Sequence, residues 1–172
     1  MFGIPEKLIG ARMYNDGSQY LGLATITFPD FQQVTASLKG SGIAGEMEVP
    51  VTGYLQSLSV RMQFNAWTPQ QLSLLAQGPQ ELTARCSVDV TEPLTGLLTQ
   101  SAIKAWMKGR HKNTTGGKGE SGTTMDSESE MELSAMGVWI DGTEYVYFDK
   151  FNYIYRVNGI DYLAAARVAE GL

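Results

Sequence analysis

Apolar residues fall on alternate positions along most of this chain. In "LQSLSVRMQFNAW", Leu58, Val60, Met62 and Phe64 are separated by single polar or small residues, the period of a strand with one face buried. Gln19–Phe28, "QYLGLATITF", interleaves β-branched, aromatic and small residues and stops at the turn signal Pro29-Asp30. "DFQQVTASLKG" reads as a further extended stretch, and "ELTARCSVDVTEP" returns to a period of two. "LTGLLTQSAIKAWMKGRHK" suits a strand or a short helix and is read as strand because of the alternation that follows it. From Met125 to Val138 that alternation is sustained. Ser127, Ser129, Met131, Leu133 and Ala135 are expected on one face, with Glu128, Glu130, Glu132 and Ser134 on the other; a single bulge near Gly137 would invert the far end. Asp141-Gly142 and Asn158-Gly159 are signals for two-residue hairpin turns.

Only one interior segment departs from period two with clear helix punctuation. In "WTPQQLSLLAQGP", Thr68 stands at an N-cap, Pro69 in the first turn, and Gly78-Pro79 closes the element. The spacing predicts a helix over about 69–77 with Leu72, Leu75 and Ala76 on one face. The Ala-rich "LAAARVAEGL" predicts a short C-terminal helix. "GSGIAGEMEVPVTGY", with Gly40, Gly42, Gly45 and Pro50, is expected to be a flexible loop rather than core. No 20–50-residue repeat and no linker is visible, so residues 1–172 are expected to form a single, mainly β domain, a barrel or sandwich with one flanking helix.

Composition narrows the function classes. A chain of 172 residues that is 43% hydrophobic has enough apolar material for one real core. A net charge of −5 argues against a nucleic-acid reader, which carries a basic face. One cysteine, Cys86, forbids an intrachain disulfide and leaves the compartment open. No signal peptide is visible at the start, and nowhere do about eighteen apolar residues run together, so neither secretion nor membrane insertion is expected.

The chemical motifs are weak when set in context. Gly117, Gly119 and Gly122 in "GGKGESG" have the spacing of a dinucleotide-binding loop, but the strand before and helix after that such a loop needs are missing. Lys118 does not complete a phosphate-binding loop, because Gly119 stands where Ser or Thr would hold magnesium. The alternating carboxylates lie about 6–7 Å apart along a strand and do not converge on one ion. His111, in the basic "MKGRHK", is expected in an exposed loop, and Cys86 in packing. No catalytic, cofactor or metal site is expected. The basic cluster is too small for a nucleic-acid footprint, and an ion pair with the acidic row of a neighbouring copy suits it as well.

The C-terminal half resembles the major tail tube protein family of contractile-tailed bacteriophages and of the phage-tail-like bacteriocins derived from them. The resemblance is carried by Gly109 and Lys112 and by "IDGTEYVYFDKFNYIYRVNGIDYLAAARVAEGL", where Asp141, Gly142, Glu144, Asp149, Asn152, Val157, Asn158, Gly159, Asp161, Leu163, Arg167, Gly171 and Leu172 meet the family's terminal pattern. It is specific over about a third of the chain. The opening "NDGSQYLGLATITFPDF" is similar in layout, as an opening hairpin.

That resemblance implies a structural subunit: hexameric rings that stack into a hollow tube inside a contractile sheath, to be driven through a target envelope. Expected partners are further copies of the chain, a sheath protein, a baseplate or tube initiator, a tape-measure and a tail terminator, with DNA only as cargo in transit. Assembly would occur in the bacterial cytoplasm, ending in a virion tail or a released bacteriocin particle. Glu128, Glu130 and Glu132 are expected to line the channel, where a negative wall keeps DNA from sticking. The Gly-rich 113–124 segment, with Gly117, Lys118 and Gly119, and the Lys39–Pro50 loop, with Gly40, Gly42, Gly45 and Glu46, are expected at contacts between copies. A tube component of a type VI secretion-like system is the alternative.

Overall fold

The computed structural model describes residues 3–22, 25–40 and 42–171; Leu23 and Ala24 of the expected Gln19–Phe28 strand, Ser41 of the Gly-rich loop and the terminal Leu172 lie outside the described residues. Among the described residues twelve strands and two helices follow in chain order. β1 spans Ile4–Asn15, β2 Gln19–Tyr20, β3 Thr25–Thr27, β4 Gln33–Lys39, β5 Glu46–Leu55 and β6 Ser59–Phe64. Helix α1, Pro69–Ser73, leads to β7 Gln80–Thr91, β8 Leu98–Thr115, β9 Ser127–Ile140, β10 Thr143–Asp149, β11 Ile154–Val157 and β12 Ile160–Asp161, and α2, Ala164–Glu170, follows. The fold is mainly β, as the alternation predicts, with both predicted helices present.

One large antiparallel sheet runs β12-β11-β10-β9-β8-β7-β1-β2. β9 serves two neighbours on its other edge: Ser127–Glu132 pair with β6, and the stretch from Ala135 to Ile140 pairs with β10. β3 extends β6. The sheet therefore folds over on itself around the long β8–β9 hairpin, and its inner faces enclose the core. Met13, Leu82, Ala84 and Met107 meet Val60, Met62, Phe64 and Met131 there. No closed barrel forms among the described residues; β2, β3 and β12 end the sheet.

The two predicted turns are seen. Asp141 and Gly142 have φ of 49° and 84°, Asn158 and Gly159 of 51° and 80°, and the flanking pairs Ile140–Thr143 and Val157–Ile160 close around them. Positive φ at both central residues gives a turn whose twist matches that of the strands.

Four expectations need correction. α1 is shorter than 69–77. Thr68 does cap it, its Oγ1 accepting from Gln71 N at 3.1 Å, but the side-chain amide of Gln80 donates to the carbonyls of Leu74 and Ala76 and ends the element. Its buried residues are Gln71 and, just beyond, Leu74, so Leu72, Leu75 and Ala76 face outward. Gln71 is drawn in by Ser127, whose Oγ it meets at 2.8 Å. The Gly-rich loop is confined to the tip of a hairpin, because Glu46–Leu55 is a strand paired with β4. His111 is not in a loop; it pairs with Met131 inside β8 and its Nε2 meets Thr114 Oγ1 at 2.9 Å.

The fourth correction concerns β9. Burial alternates from Ser127 to Leu133 as predicted, then Ala135, Met136 and Gly137 are buried in succession. Register across to β8 passes from Leu133–Gly109 to Ala135–Lys108, leaving Ser134 as a bulge. One extra residue inverts the sides, so Ala135 joins the carboxylate side and Met136 turns inward. The inversion falls three positions before Gly137.

Candidate functional site

Glu128, Glu130 and Glu132 share the outer face of β9, opposite Gln63, Arg61 and Ser59 on β6 and Thr115, Asn113 and Arg110 on β8. The row is not bare carboxylate. Glu130 lies 3.0 Å from Lys112 Nζ and 3.7 Å from Arg61, Glu132 lies 3.7 Å from Lys112, and Glu128 lies 3.9 Å from Arg61. Glu132 also accepts from Ser57 Oγ at 2.7 Å and from Leu58 N at 3.1 Å. Lys112 holds the Glu130 carboxyl below its ordinary value, the Ser59 hydroxyl adding to this against partial burial. Glu130 in turn raises the Lys112 ammonium. The cation expected to reach a neighbouring copy is thus satisfied within its own chain. Lys112 is free to do so because it bulges from β8 between His111 and Asn113. Arg61 went unremarked in the sequence; its alternate position with Ser59 and Gln63 is the signal that places it on the outer face.

The 113–124 segment divides. Asn113–Thr115 continue β8, and the loop proper begins at Gly116. Gly117 is fixed in place: its φ is 75°, a Cβ there would collide with the Met125 carbonyl, and Lys118 N donates to that same carbonyl at 2.7 Å. Nothing crowds Gly119. Gly117 therefore shapes the loop, while Lys118 and Gly119 are presented on it.

The Lys39–Pro50 region forms an arm. Among the described residues β4 and β5 pair only with each other, in a separate two-stranded sheet. Lys39 and Glu46 are the last pair before the tip, joined at 3.0 Å, and Gly40, Gly42 and Gly45 make the turn, all with positive φ. Ser37 Oγ and Lys39 pull the Glu46 carboxyl down. The arm has two unlike faces. Thr35, Ser37, Glu46 and Glu48 lie on one, and Val34, Ala36, Leu38, Met47 and Val49 on the other. Leu38 and Met47 are about half exposed. The base of the arm is fastened to the body: Gly53 abuts Leu163, Tyr54 meets Tyr153 edge-on, and Lys150 Nζ donates to the Gln56 carbonyl at 2.8 Å.

Two further apolar surfaces lie open. Ile4, Leu8 and Ile9 of β1 and Leu94, Leu97 and Leu98 at the β7–β8 turn are each at least half exposed, where the sheet outruns the core. Trp67 and Leu75 beside α1 and Leu72 on it are exposed as well. Across β1, β7 and β8, Arg12, Arg85 and Lys104 stand in direct register, with Arg12 over Tyr20, Arg85 over Tyr14 and Lys104 over Trp139. Only the register unites these residues; no local pattern in the sequence does. Cys86 is buried, which pushes its thiol up. Among the described residues no cluster of three His, Cys, Asp or Glu forms a metal-binding group, and no helix is long and apolar enough to cross a membrane.

The residues of the terminal sequence pattern have structural tasks. Asp141 accepts from Ser101 Oγ and Ala102 N at 2.9 and 2.8 Å, and Glu144 grips Arg156 with both oxygens. Asp149 accepts from the backbone of Phe151 and Asn152 and from the Asn152 amide. Asp161 joins Arg167 at 2.6 Å and accepts from Leu163 N and Tyr155 N, while Arg167 also donates to the Tyr153 carbonyl. Burial opposes ionisation of Asp161, but Arg167 and the two N–H groups outweigh it and lower its carboxyl.

The chain resembles a solved chain of the sheath/tube terminator of an extracellular contractile injection system, with a TM-score of 0.55 at 10% identity, covering 78% of this chain and 96% of that one. The family model for phage tail tube protein FII matches residues 5–171, and the chain belongs to that family. It is 26% identical over 172 residues to the tail tube protein of Escherichia phage P2, spanning 98% of this chain and 99% of the other. The family is structural and not enzymatic.

Proposed function

We propose that the chain assembles into hexameric rings that stack as the hollow inner tube of a contractile phage tail, a phage-tail-like bacteriocin or a related contractile injection system. The observation that carries this is the amphipathic arm: a hairpin exposing Leu38 and Met47, fastened at its base, whose two strands pair with no other strand among the described residues. A strand pair with an uncovered apolar face is a liability unless another surface covers it. A second copy does so in a head-to-tail contact that closes around the ring, and a contact along the axis leaves the stack open to growth. Gly40, Gly42 and Gly45 let the tip settle on its neighbour, and the Lys118–Gly119 loop meets the next ring.

In this reading the outer face of β6 and the first half of β9 lines the channel, with Glu128, Glu130 and Glu132 repeated in every copy. Arg61 and Lys112 pair with these carboxylates and reduce their field, so the wall is polar and mildly acidic and gives a passing polyanion no anchor. The tube is built in the bacterial cytoplasm on a baseplate initiator, measured by a tape-measure protein, ended by a terminator and surrounded by a sheath, with DNA as transient cargo in a phage. Negative-stain electron microscopy of the purified chain, dilute and concentrated, tests the assembly. Rings or rods of uniform bore are expected; compact monomers at every concentration, even with the initiator supplied, would sink it. A map of the tube in which Glu128, Glu130 and Glu132 point outward would overturn the channel assignment.

A further inference from the structure

The β7–β8 turn, residues 92–97, is an apolar tip closed by its own hydrogen bonds. Glu92 N donates to the Leu97 carbonyl at 2.9 Å and Gly96 N to the Glu92 carbonyl at 2.8 Å, and Gly96 has a φ of 69°. Thr95 Oγ1 donates to the Glu92 carboxylate at 2.6 Å and accepts from Leu97 N at 3.2 Å. The turn thus ties its polar groups to one another and leaves its leucines in water. Leu94 is 75% exposed, and Leu97 and Leu98 are each more than half exposed. Reversing the chain needs no leucine, since Gly, Pro, Asn, Asp and Ser suffice for turns. Glu92 is the tip's one charge, and among the described residues no cation lies within ion-pairing distance of it.

A groove of opposite character lies in the other half of β8. Where β9 passes from β6 to β10, the sheet parts and leaves a space of about 760 Å³. It is lined by Gly109, Arg110 and Leu133 of the β8–β9 hairpin and by Lys150, Phe151 and Asn152 of the β10–β11 turn. The other polar groups along it already have partners. Ser134 Oγ donates to the Lys108 carbonyl, Asn152 donates to Asp149, and Glu132 accepts from Ser57 Oγ and Leu58 N. Lys108 and Lys112 pair with Glu81 and Glu130, and Lys150 Nζ donates to the Gln56 carbonyl. Such a lining offers a small polar ligand no converging set of free donors and acceptors. What it does offer is an apolar wall, the Phe151 ring, which is 77% exposed, and the exposed Arg110 guanidinium. Among the described residues Arg110 has no carboxylate within ion-pairing distance. An apolar wall with one free cation complements an apolar tip with one free acid.

We propose that the β7–β8 tip of one copy seats in this groove of another, with Leu94 and Leu97 against Phe151 and Glu92 on Arg110. The tip cannot enter the groove of its own chain. Leu98 and Lys108 are ten positions apart along one strand, a separation of about 33 Å. The contact therefore joins different copies through two unlike surfaces, so it is head-to-tail and can repeat along an axis. That is what a stack of rings requires. The inference rests on the tube reading above and gives it an axial joint distinct from the arm.

The test oxidises a concentrated mixture of two variants of the full chain, Leu97→Cys and Phe151→Cys, and reads the products on a non-reducing gel. Cys86 is buried with its thiol pushed up, so it stays silent. A disulfide needs Cα atoms within about 7 Å, which the two positions cannot reach inside one chain. Dimers are expected from the mixture and from neither variant alone, and a chain carrying both substitutions should give a ladder of multiples. Leu97→Cys linking to itself as readily overturns the proposal, because tips would then meet tips. Charge gives a second readout. Glu92→Arg and Arg110→Glu should each raise the concentration needed for assembly by about tenfold, and the two together should restore it. A double variant no better than either single one overturns the pairing. Rods without mixed dimers, both for this pair and for Leu94→Cys with Asn152→Cys, sink the inference and leave the tube reading intact. Mixed dimers without rings or rods uphold the contact and sink the tube reading. A chain that stays monomeric and gives no mixed dimer sinks both.

Discussion

The β4–β5 arm and the β9–β10–β11 meander are built from similar antiparallel hairpins, yet they stand in opposite states. The meander packs Met136 and Phe148 into the core and closes its polar ends internally, through Asp141, Asp149 and the Asp161–Arg167 pair. The arm has comparable alternation but leaves both faces largely exposed. Asp141, Asp149, Glu144 and Asp161 of the meander answer to partners in their own chain, whereas Leu38 and Met47 near the tip of the arm stay about half exposed. Residues that specify the monomer can therefore be told from residues that serve assembly by whether the monomer already satisfies them.

Removing a residue from the core should have the largest effect on the isolated chain. Phe64→Ala leaves a cavity between the folded sheet halves and is expected to destabilise by about 3–5 kcal/mol in urea unfolding. A loss below about 1 kcal/mol would mean that the two halves do not close on one core. Next comes the meander. Asp161→Ala strands the half-buried Arg167 and two backbone N–H groups, with an expected cost of about 2–3 kcal/mol read from the same titration.

The Gly-rich loop sharpens the contrast within a few residues. Gly117→Ala forces a Cβ into the Met125 carbonyl at positive φ and should cost about 1–3 kcal/mol, whereas Gly119→Ala should change stability by less than about 0.5 kcal/mol. Equal costs at the two positions would break the division between a shaping and a presented glycine.

Acid should act on the satisfied carboxylates before anything else. Glu130 and Asp161 both have lowered carboxyls in the folded chain, so they bind fewer protons folded than unfolded. Their contribution is complete above the unfolded value of about 4 and drains away as pH falls through the lowered values. Stability of the monomer against urea is expected to be flat from neutral pH to about 5 and to decline below about 4; a decline beginning near pH 6 would point to another group. The smallest effect on the monomer is predicted for the arm. Leu38→Ser with Met47→Ser should move unfolding by less than about 0.5 kcal/mol yet abolish rods in electron micrographs, and intact rods from that variant would remove the arm from assembly.

Much of the fold was legible because the signals were local. Thr68 and Pro69 announced α1, the Asp-Gly and Asn-Gly pairs announced their turns, and Leu58 to Phe64 announced a buried edge. The terminal pattern was legible for the same reason, since its acids and glycines serve nearby caps, turns and ion pairs. The helix face was misread because Leu72 and Leu75 have the right spacing for burial, and a single buried partner, Ser127, far away in the chain, selected Gln71 instead. The β4 half of the arm was read as extended, but the β5 half was read as a loop because its glycines dominate the local composition, while the pairing of Ala36 with Val49 is a matter of two strands meeting.

By itself, then, the sequence determined a mainly β chain, its hairpin turns and the alternating carboxylates, since strand period and turn chemistry act over a few residues. Only the tertiary structure decided which face each strand presents. The bulge at Ser134 inverts β9, the bulge at Lys112 brings a cation onto the acidic row, and the register of three strands lines up Arg12, Arg85 and Lys104 from positions far apart in the chain. Register is a global quantity: one inserted residue moves every side chain beyond it to the other face, and nothing local records where the insertion falls.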